Sequence, residues 1–526
     1  MAANFFHSVV STDHLSLTWP DGTQCFAEVS VDINRRVTAI VGDNGSGKSS
    51  FLKILADELM PSAGSFRVPE RRGYLPQHAS VEGHSVLDLL GIRDIVEALE
   101  RIESGGVDEH DFELVEGHWD IREHAETVLS DAGISEPKNL SRAAQSLSGG
   151  EAVKVALAGL QLRTPELYLL DEPTNNLDRA GREAVYEFLA RSTVPVVVVS
   201  HDRELLNMAD EIIEFFAGRV RSFPGNYSAY ESVIAREQDK AVEAWTETRS
   251  QRKQAVRIRQ EMETRLARDA RRGKKFAASK RKPGMAMGLD KQRSERSAAR
   301  RHSSHAASVE DARREEYEAQ LRIRDDASVF LHLPESRLSQ GTKVVELTPR
   351  GGERSLIVTG PERLRLGGAN GSGKTTLLRT IAGDADAAAR SEFQVAYALS
   401  DIGFVRQLIT LPAENTVWDV VRAANPQADP QWLRDHLAQL LFVNDDVSKK
   451  CGELSGGERF RVEVARTLLV QPAPRLLLLD EPTNNLDLST VQWLVETLAG
   501  FEGALIVVSH DEKFCEDIGL EGWIDL

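Results

Sequence analysis

The sequence predicts an α/β protein in which two copies of one domain are joined by a long α-helical hairpin. Three observations predict this fold class. A series of motifs occurs twice in the same order, an apolar run and a helical pattern flank the first glycine-rich loop, and the segment between the copies has the composition of charged helices. The predicted boundaries are 1–224 for the first copy, 225–328 for the hairpin and 329–526 for the second copy.

Size and composition favour a cytoplasmic globular protein. A chain of 526 residues is long enough for about three domains. No apolar run approaches the roughly 18 residues that a membrane-spanning helix needs. The cysteines, Cys25, Cys451 and Cys515, lie far apart and lack metal-ligand spacing, so neither a disulfide framework nor a zinc site is expected.

Charge is distributed unevenly along the chain. The formal net charge is −17, yet residues 249–301 hold 19 Lys and Arg against 5 Asp and Glu. This asymmetry indicates that the basic segment meets a polyanion while the rest of the protein stays clear of it. The alternative interpretation is a charged helix that faces solvent.

The repeated motifs occur in the same order in both copies. Glu172 precedes His201 by 29 residues, and Glu481 precedes His510 by the same interval. The pairs are "GDNGSGKSS" (42–50) with "GANGSGKTT" (368–376), "LSGGE" (147–151 with 454–458), "LLDEPTNNLD" (169–178 with 478–487) and "VVSHD" (198–202 with 507–511).

An acidic insert distinguishes the first copy. Gln77 and Ser148 are 71 residues apart, whereas Gln407 and Ser455 are 48 apart, and the extra residues fall within about 93–120. That segment contains 10 acidic residues and 2 arginines. Because nucleic acid repels so acidic a segment, we expect the insert to face a protein partner or solvent.

The glycine-rich loops predict two phosphate-binding sites. Each matches the pattern G-x-x-x-x-G-K-[ST] between a strand-like run and a helical run, so backbone N–H groups and a helix N-terminus can surround phosphate oxygens. Lys48 is expected to reach the β- and γ-phosphates, and the Ser49 hydroxyl to bind Mg²⁺. The candidate ATP-binding residues are Gly42, Asn44, Gly45, Ser46, Gly47, Lys48, Ser49 and Ser50, then Gly368, Asn370, Gly371, Ser372, Gly373, Lys374, Thr375 and Thr376.

The acidic pairs after "LYLL" and "LLLL" predict hydrolysis. Asp171 and Asp480 are expected to hold the Mg²⁺ shell. Glu172 and Glu481 are the candidates to orient and deprotonate the attacking water, and His201 and His510 are the candidates to contact the γ-phosphate. Any one of these residues alone could be structural, but the whole series, present twice, favours an ATP hydrolase.

These motifs resemble the ATP-binding cassette superfamily of P-loop NTPases. In that resemblance "LSGGE" is the signature, Gln77 and Gln407 belong to the Q-loops that contribute to the metal site, and "NNLD" is the D-loop. It implies a monomer whose two cassettes pair head to tail. Each ATP would be covered by the other cassette's signature, Ser148, Gly149 and Gly150 or Ser455, Gly456 and Gly457.

Two sequence features distinguish one cassette from the other. Trp19 lies 29 residues before Lys48, where the superfamily stacks an aromatic ring on adenine, and the second cassette has no aromatic in the equivalent stretch. Simple packing is the alternative role for Trp19. Arg363 and Arg365 stand in a predicted central strand, and the sequence pattern does not account for them.

The middle segment predicts two helices. No Pro or Gly occurs from Tyr227 to about Arg272, a breaker region begins at Gly273, and a second helix fits 294–326. Narrow apolar stripes predict that the helices pack as an antiparallel hairpin. The predicted stripe residues are Ala255, Ile258, Met262, Leu266, Val309, Ala312, Ala319 and Ile323.

With "FPGNYSAYES" (223–232) leading into it, this hairpin resembles the linker of the ABC-F family. The resemblance implies binding in the ribosomal exit-tRNA site, contact with 23S rRNA and the peptidyl-site tRNA, and a tip that points toward the peptidyl-transferase centre. Basic side chains suit RNA backbones. The candidate RNA-binding residues are Arg271, Arg272, Lys274, Lys275, Lys280, Arg281 and Lys282.

The long tip, about 273–293, favours antibiotic resistance by ribosomal protection. A housekeeping translation factor that relieves stalled ribosomes is the alternative, and the ATPase subunit of a separate membrane transporter is a third interpretation. Cassette proteins of DNA repair match less well, because the sequence has neither their much longer coiled coils nor their cysteine pairs.

Overall fold

The computed structural model describes residues 8–77, 83–278, 307–319, 336–352, 355–442 and 444–526. The chain forms two compact units. One consists of Met1–Tyr227 together with Ser328–Leu526 and contains both cassettes, and the other is Ser228–Ala327, the linker.

The first cassette begins with strands, has a run of helices in its middle and ends with strands. Its elements are β1 Val10–Thr18, β2 Gln24–Val29, β3 Asp32–Ile33, β4 Val37–Gly42, α1 Lys48–Leu55, β5 Ala63–Arg67, β6 Arg72–Leu75, α2 Val86–Leu90, α3 Arg93–Glu103, α4 Glu109–Val115, α5 Ile121–Asp131, α6 Gly149–Leu162, β7 Leu167–Asp171, α7 Arg179–Arg191, β8 Val196–Val199, α8 Arg203–Leu206, β9 Glu211–Phe216 and β10 Arg219–Pro224.

The linker and the second cassette follow. Their elements are α9 Tyr227–Ala278, α10 (307–319), β11 Thr342–Pro349, β12 Leu356–Gly360, β13 Arg363–Gly367, α11 Lys374–Ile381, α12 Ala385–Arg390, β14 Phe393–Ala398, β15 Ile402–Val405, α13 Val417–Ala424, α14 Pro430–Gln439, α15 Gly456–Leu468, β16 Leu476–Asp480, α16 Leu488–Ala499, β17 Ala504–Val508, α17 Glu512–Asp517 and β18 Gly522–Asp525.

Each cassette places its motifs at one edge of a largely parallel sheet. In the described part of the chain the strand order is β10-β9-β4-β8-β7-β6 in the first cassette and β15-β16-β17-β13-β18 in the second. The central strands β7 and β16 are fully buried, which explains their continuous Leu-rich runs. The phosphate loops and acidic pairs all follow carboxyl ends of strands, where open α/β sheets bind ligands. The predicted fold class is confirmed.

The acidic insert folds as the helical pair α3 and α4. Ala98, Leu99 and Val115 form a small buried core between these helices. Arg101 Nη2 donates to Asp111 Oδ1 at 2.7 Å and ties one helix to the other. The insert is therefore an ordered part of the first cassette.

The two unexplained arginines in β13 have structural roles. Arg363 donates to the carbonyl oxygens of Ile518 at 2.6 Å, Phe501 at 2.8 Å and Leu498 at 3.0 Å. These carbonyls lie at the C-terminal ends of α16 and α17, where helices leave acceptors unpaired. Arg365 donates to Glu512 Oε2 at 2.6 Å, and its guanidinium carbon lies 4.5 Å from the centre of the Trp523 ring.

The linker unit contains the helices that the sequence predicts, with two differences. α9 has 52 residues, which is about 78 Å at 1.5 Å per residue. It continues past Gly273 to Ala278, because one glycine costs a helix only about 1 kcal/mol. Ile258 was predicted on the packed stripe but is exposed. Arg252, on the same partly buried face as Ala255 and Met262, instead pairs with Glu316 of α10.

Part of the predicted linker surface can be located. Ala312 and Ala319 are buried in α10, as the stripe requires. Arg271, Arg272 and Lys275 are exposed near the end of α9, and Lys274 lies in the same helix. Lys280, Arg281 and Lys282, the remainder of the tip, and the ends of the predicted second helix (294–306 and 320–326) lie outside the described residues. None of the helices described is both long and apolar enough to span a membrane.

Candidate nucleotide-binding sites

The two phosphate loops have the same local geometry. Each connects a strand end to a helix through a left-handed glycine, Gly47 at φ 96° and Gly373 at φ 95°, a conformation that favours glycine. Lys48 Nζ donates to the carbonyl oxygens of Gly42 at 2.7 Å and Asp43 at 2.8 Å. Lys374 makes the corresponding bonds at 2.7 and 2.9 Å. Both ammonium groups therefore lie across their loops, where phosphate oxygens can replace the carbonyls.

A hydroxyl and a carboxylate meet beside each loop. Ser49 Oγ donates to Asp171 Oδ1 at 2.9 Å, and Thr375 Oγ1 donates to Asp480 Oδ1 at 3.2 Å. These oxygen ligands are the type that Mg²⁺ prefers. Among the described residues, the buried hydroxyls of Ser46 and Ser372 have no hydrogen-bond partner. Buried polar groups normally have partners, so these hydroxyls fit a site that receives a polar ligand.

The predicted catalytic glutamates and histidines are paired. His201 Nε2 lies 3.3 Å from Glu172 Oε1, and His510 Nε2 lies 3.3 Å from Glu481 Oε1. Glu172 has φ 48° and Glu481 has φ 47°, a strained backbone conformation that is found at functional sites. All four side chains are largely shielded from solvent.

Burial sets the protonation of these groups. It raises the pKa of Glu172 and the pKa of Glu481 to about 7, because desolvation disfavours the carboxylate. Burial also lowers the pKa of His201 and the pKa of His510, so both imidazoles are neutral at pH 7. Each site thus places an acid–base group that titrates near neutral pH within 3.3 Å of a neutral imidazole.

The D-loops bring the two cassettes together. The Asn44 backbone N–H donates to Asp487 Oδ2 at 2.9 Å, and the Asn44 side chain donates to the Asn485 carbonyl at 3.0 Å. Ser489 Oγ donates to Asp43 Oδ1 at 3.1 Å. The first site is therefore bounded by residues of the second cassette.

A cavity of about 370 Å³ forms the second site. Asn176 and Leu177 of the first cassette line it. The residues from the second cassette are Asn370, Gly371, Gly373, Lys374, Thr375, Thr376, Gln407, Asp480, Glu481, Asn484, Val508 and His510. Most of the predicted second-site residues therefore surround one space.

The signature motifs act as helix caps. Ser148 Oγ accepts a hydrogen bond from the Glu151 backbone N–H, and Ser455 Oγ accepts one from that of Glu458, both at 3.2 Å. Each glutamate side chain returns a bond to the serine N–H, which completes a capping box. Both serines are exposed at the start of α6 or α15. That Ser148–Gly150 and Ser455–Gly457 cover an ATP remains a prediction.

Trp19 and Gln77 lie at the periphery of the first site. Trp19 is 39% exposed in the turn after β1, so its ring is available to a ligand. In the paired strand β2, Cys25 and Phe26 approach Gly47 closely. Gln77 is exposed two residues beyond β6, a strand that pairs with β7. Adenine stacking by Trp19 and metal binding by Gln77 remain predictions.

One asymmetry between the sites was missed in the sequence. The Asp43–Ser489 bond has no equivalent at the second site, because the corresponding residues are Ala369 and Ala180. Aligning the two copies residue by residue would have revealed the difference. The D-loop residues Asn176, Leu177, Asn484 and Asn485 were also not assigned to the sites, although their motif was recognised.

The fold, the paired acidic residues and the two phosphate loops define tandem ATP-binding cassettes. The family described as ABC transporter matches residues 26–175 and 353–484, more than half of the chain, and the chain belongs to this family. The protein is therefore an ATP hydrolase, as its sequence predicted.

The similarity to other proteins covers nearly the whole chain. ATP-binding protein Uup of Caulobacter vibrioides is 29% identical over 513 residues, which cover 93% of this chain and 73% of that protein. The Bacillus subtilis protein "Uncharacterized ABC transporter ATP-binding protein YkpA" is 28% identical over 543 residues, which cover 97% and 93%. A solved structure titled "Model of ribosome-bound archaeal Pelota and ABCE1" is similar in fold, with a TM-score of 0.52 at 21% identity over 95% of this chain and 74% of that one.

Proposed function

We propose that this protein is a cytoplasmic, monomeric ABC-F ATPase that binds the ribosome at the exit-tRNA site while ATP holds its two cassettes together. The observation that carries this proposal is the segment between the cassettes. It contains a 52-residue helix within a stretch whose distal part is strongly basic in an otherwise acidic chain. An archaeal relative in fold is described in a ribosome-bound assembly, so cassette pairs of this type are compatible with a ribosome.

The sites support ATP-gated closure. Lys48 and Lys374 bind the β- and γ-phosphates in exchange for the loop carbonyls that they contact. Glu172 and Glu481 accept the proton of the attacking water, and the neutral histidines orient the γ-phosphate. Because D-loop residues of each cassette border the other's site, ATP binding strengthens the contact between cassettes and hydrolysis weakens it.

Magnesium fits beside the hydroxyl–carboxylate pairs. At the first site the ion would be held by Ser49, Asp171 and Gln77. At the second site it would be held by Thr375, Asp480 and Gln407. Both glutamines follow the strand next to the one that ends in the aspartate. The ion would neutralise phosphate charge and orient the phosphates when bound.

The basic part of the linker supplies the RNA contacts. Exposed Arg271, Arg272 and Lys275 at the end of α9 match phosphate backbones irrespective of base sequence, and we assign Lys274, Lys280, Arg281 and Lys282 the same role. The partners are 23S rRNA and the peptidyl-site tRNA. The linker then extends toward the peptidyl-transferase centre, while the acidic cassettes limit binding to RNA elsewhere.

We further propose that the linker tip confers antibiotic resistance by ribosomal protection. The helix that leads to the tip is about 78 Å long, and the tip contains Phe276, Met285 and Met287, which suit contact with a drug site. Susceptibility to macrolides, lincosamides, pleuromutilins and phenicols, with and without the gene, tests this role. Unchanged susceptibility to every class would favour the alternative, a housekeeping factor that relieves stalled ribosomes.

Deletion of residues 276–288 should abolish drug protection and leave the ATPase rate within about twofold of the parent. The reason is that the tip acts on the ribosome whereas hydrolysis depends on the cassettes. The measurements are the minimal inhibitory concentration and the steady-state ATPase rate.

The control for this deletion is a double substitution in the same helix, far from the tip. Val233→Ser/Val242→Ser changes exposed residues in the proximal part of α9, so it should leave protection intact. Full drug tolerance after the deletion would refute the role of the tip.

A further inference from the structure

The two ATP sites are bonded to the opposite cassette to different extents. At the first site, Asn44 donates to the D-loop of the second cassette, from its backbone N–H to Asp487 Oδ2 at 2.9 Å and from its side chain to the Asn485 carbonyl at 3.0 Å. At the second site the corresponding residue, Asn370, lines the cavity of about 370 Å³. In the described part of the chain, Asn370 makes no hydrogen bond to the first cassette. The cassettes are therefore joined more closely at the first site.

Most of the residues at these contacts are the same in both cassettes. The D-loop sequence "NNLD" occurs in each, and so does the asparagine of the phosphate loop. The residues that differ are Asp43 of the first phosphate loop and Ser489 of α16. Their counterparts at the second site are Ala369 and Ala180, both of which are exposed. The sequence difference that accompanies the closer contact is therefore one carboxylate and one hydroxyl.

The hydroxyl and the carboxylate connect the D-loop to the phosphate-binding lysine. Ser489 Oγ donates to Asp43 Oδ1 at 3.1 Å. It also lies 3.1 Å from Asp487 Oδ1. That oxygen accepts from the Thr490 backbone N–H at 3.0 Å, so Asp487 keeps a partner when the hydroxyl proton points to Asp43. The Asp43 carbonyl in turn accepts from Lys48 Nζ at 2.8 Å, so Ser489 holds a residue that contacts this lysine directly.

We propose that Ser489 is a positioning residue, supplied by the second cassette, that holds Asp43 and the first phosphate loop in place so that the first site retains ATP longer than the second. The bond forms only when the D-loop reaches the phosphate loop. It therefore stabilises the closed interface, and ATP bound in that interface dissociates more slowly. This inference rests on the proposed ATP-gated closure of the cassettes. The second site, which lacks the pair, exchanges its nucleotide first.

ATP binding to single-site proteins tests the proposal. All of them carry Glu172→Gln/Glu481→Gln, which prevents hydrolysis. Lys374→Ala then leaves ATP binding to the first site, and Lys48→Ala leaves it to the second. With the first site alone, Ser489→Ala should raise the Kd for a fluorescent ATP analogue with Mg²⁺ about three- to tenfold, the range expected for one hydrogen bond. The rate at which the analogue dissociates should rise by a similar factor.

The matched control is Ser489→Ala in the protein with the second site alone, where the Kd should stay within about twofold. Ser489→Thr keeps the hydroxyl and should restore the first-site Kd to within about twofold of the parent value. The pair can also be transferred. Ala180→Ser/Ala369→Asp should lower the second-site Kd about threefold, a gain that a merely structural role for Ser489 would not produce.

Equal increases in Kd at both sites after Ser489→Ala would indicate a general contact between the cassettes and overturn the proposal. An unchanged second-site Kd after the transfer would also overturn it, because the pair would then not distinguish the sites. If the single-site proteins bind no ATP while Ser489 is still present, the proposed ATP sites themselves fail, and the inference falls for that separate reason.

Discussion

The double variant Glu172→Gln/Glu481→Gln should hydrolyse ATP at least about 100-fold more slowly than the parent protein while it still binds ATP. Removing a general base typically costs 10²- to 10⁴-fold. Both carboxyls are held against a neutral histidine, at 3.3 Å, and titrate near pH 7, so they can accept a proton under physiological conditions. Glutamine keeps the size of each side chain but cannot take up the proton. Steady-state phosphate release and equilibrium binding of ATP are the two measurements.

Glu123→Gln/Glu392→Gln is the control for this variant. It removes one glutamate from each cassette outside the sites, and Glu392 is exposed, so the rate should stay within about twofold of the parent. A double-glutamine protein that keeps more than about a tenth of the parental rate would contradict the assignment of both bases. Loss of ATP binding together with activity would instead point to damage in the phosphate loops.

Arg363→Met should lower the free energy of unfolding of the cassette unit by about 2–4 kcal/mol. The substitution keeps a long aliphatic side chain in β13 but removes three hydrogen bonds to carbonyl oxygens, at 2.6, 2.8 and 3.0 Å. Those carbonyls lie at or just beyond the C-terminal ends of two helices, and that of Leu498 also accepts a bond from the Phe501 backbone N–H at 3.2 Å. Urea unfolding, followed by fluorescence without nucleotide, measures the change.

Arg350→Met is the matched control. Arg350 is exposed and donates to one carbonyl oxygen, that of Ala388, at 2.8 Å. Its replacement should cost less than about 1 kcal/mol. An unfolding curve for Arg363→Met that superimposes on the curve for Arg350→Met would contradict the stabilising role of Arg363.

The sequence was sufficient for the fold because its strongest signals are local. A glycine-rich loop and a buried strand that ends in two acids each determine their own conformation within a few residues. Their repetition in the same order defined two cassettes. The linker helices could be predicted because Pro and Gly are scarce in the segment between the cassettes.

The role of Arg363 could not be predicted, because its partners are distant in sequence. Arg363 bonds to carbonyls more than 130 residues away. The error at Ile258 has a related cause. Arg252 and Glu316 pair on the packed face of the linker, and an apolar stripe does not reveal a charged contact.

Cosedimentation of the Glu172→Gln/Glu481→Gln protein with ribosomes tests the central claim most directly. With Mg²⁺ and ATP the protein should enter the ribosomal pellet. Without nucleotide most of it should stay in the supernatant, and binding with ATP should weaken as salt is raised from 50 to about 200 mM, because contacts to RNA phosphates release counterions. A protein that binds ATP but stays in the supernatant at every salt concentration would contradict the proposed ribosomal function.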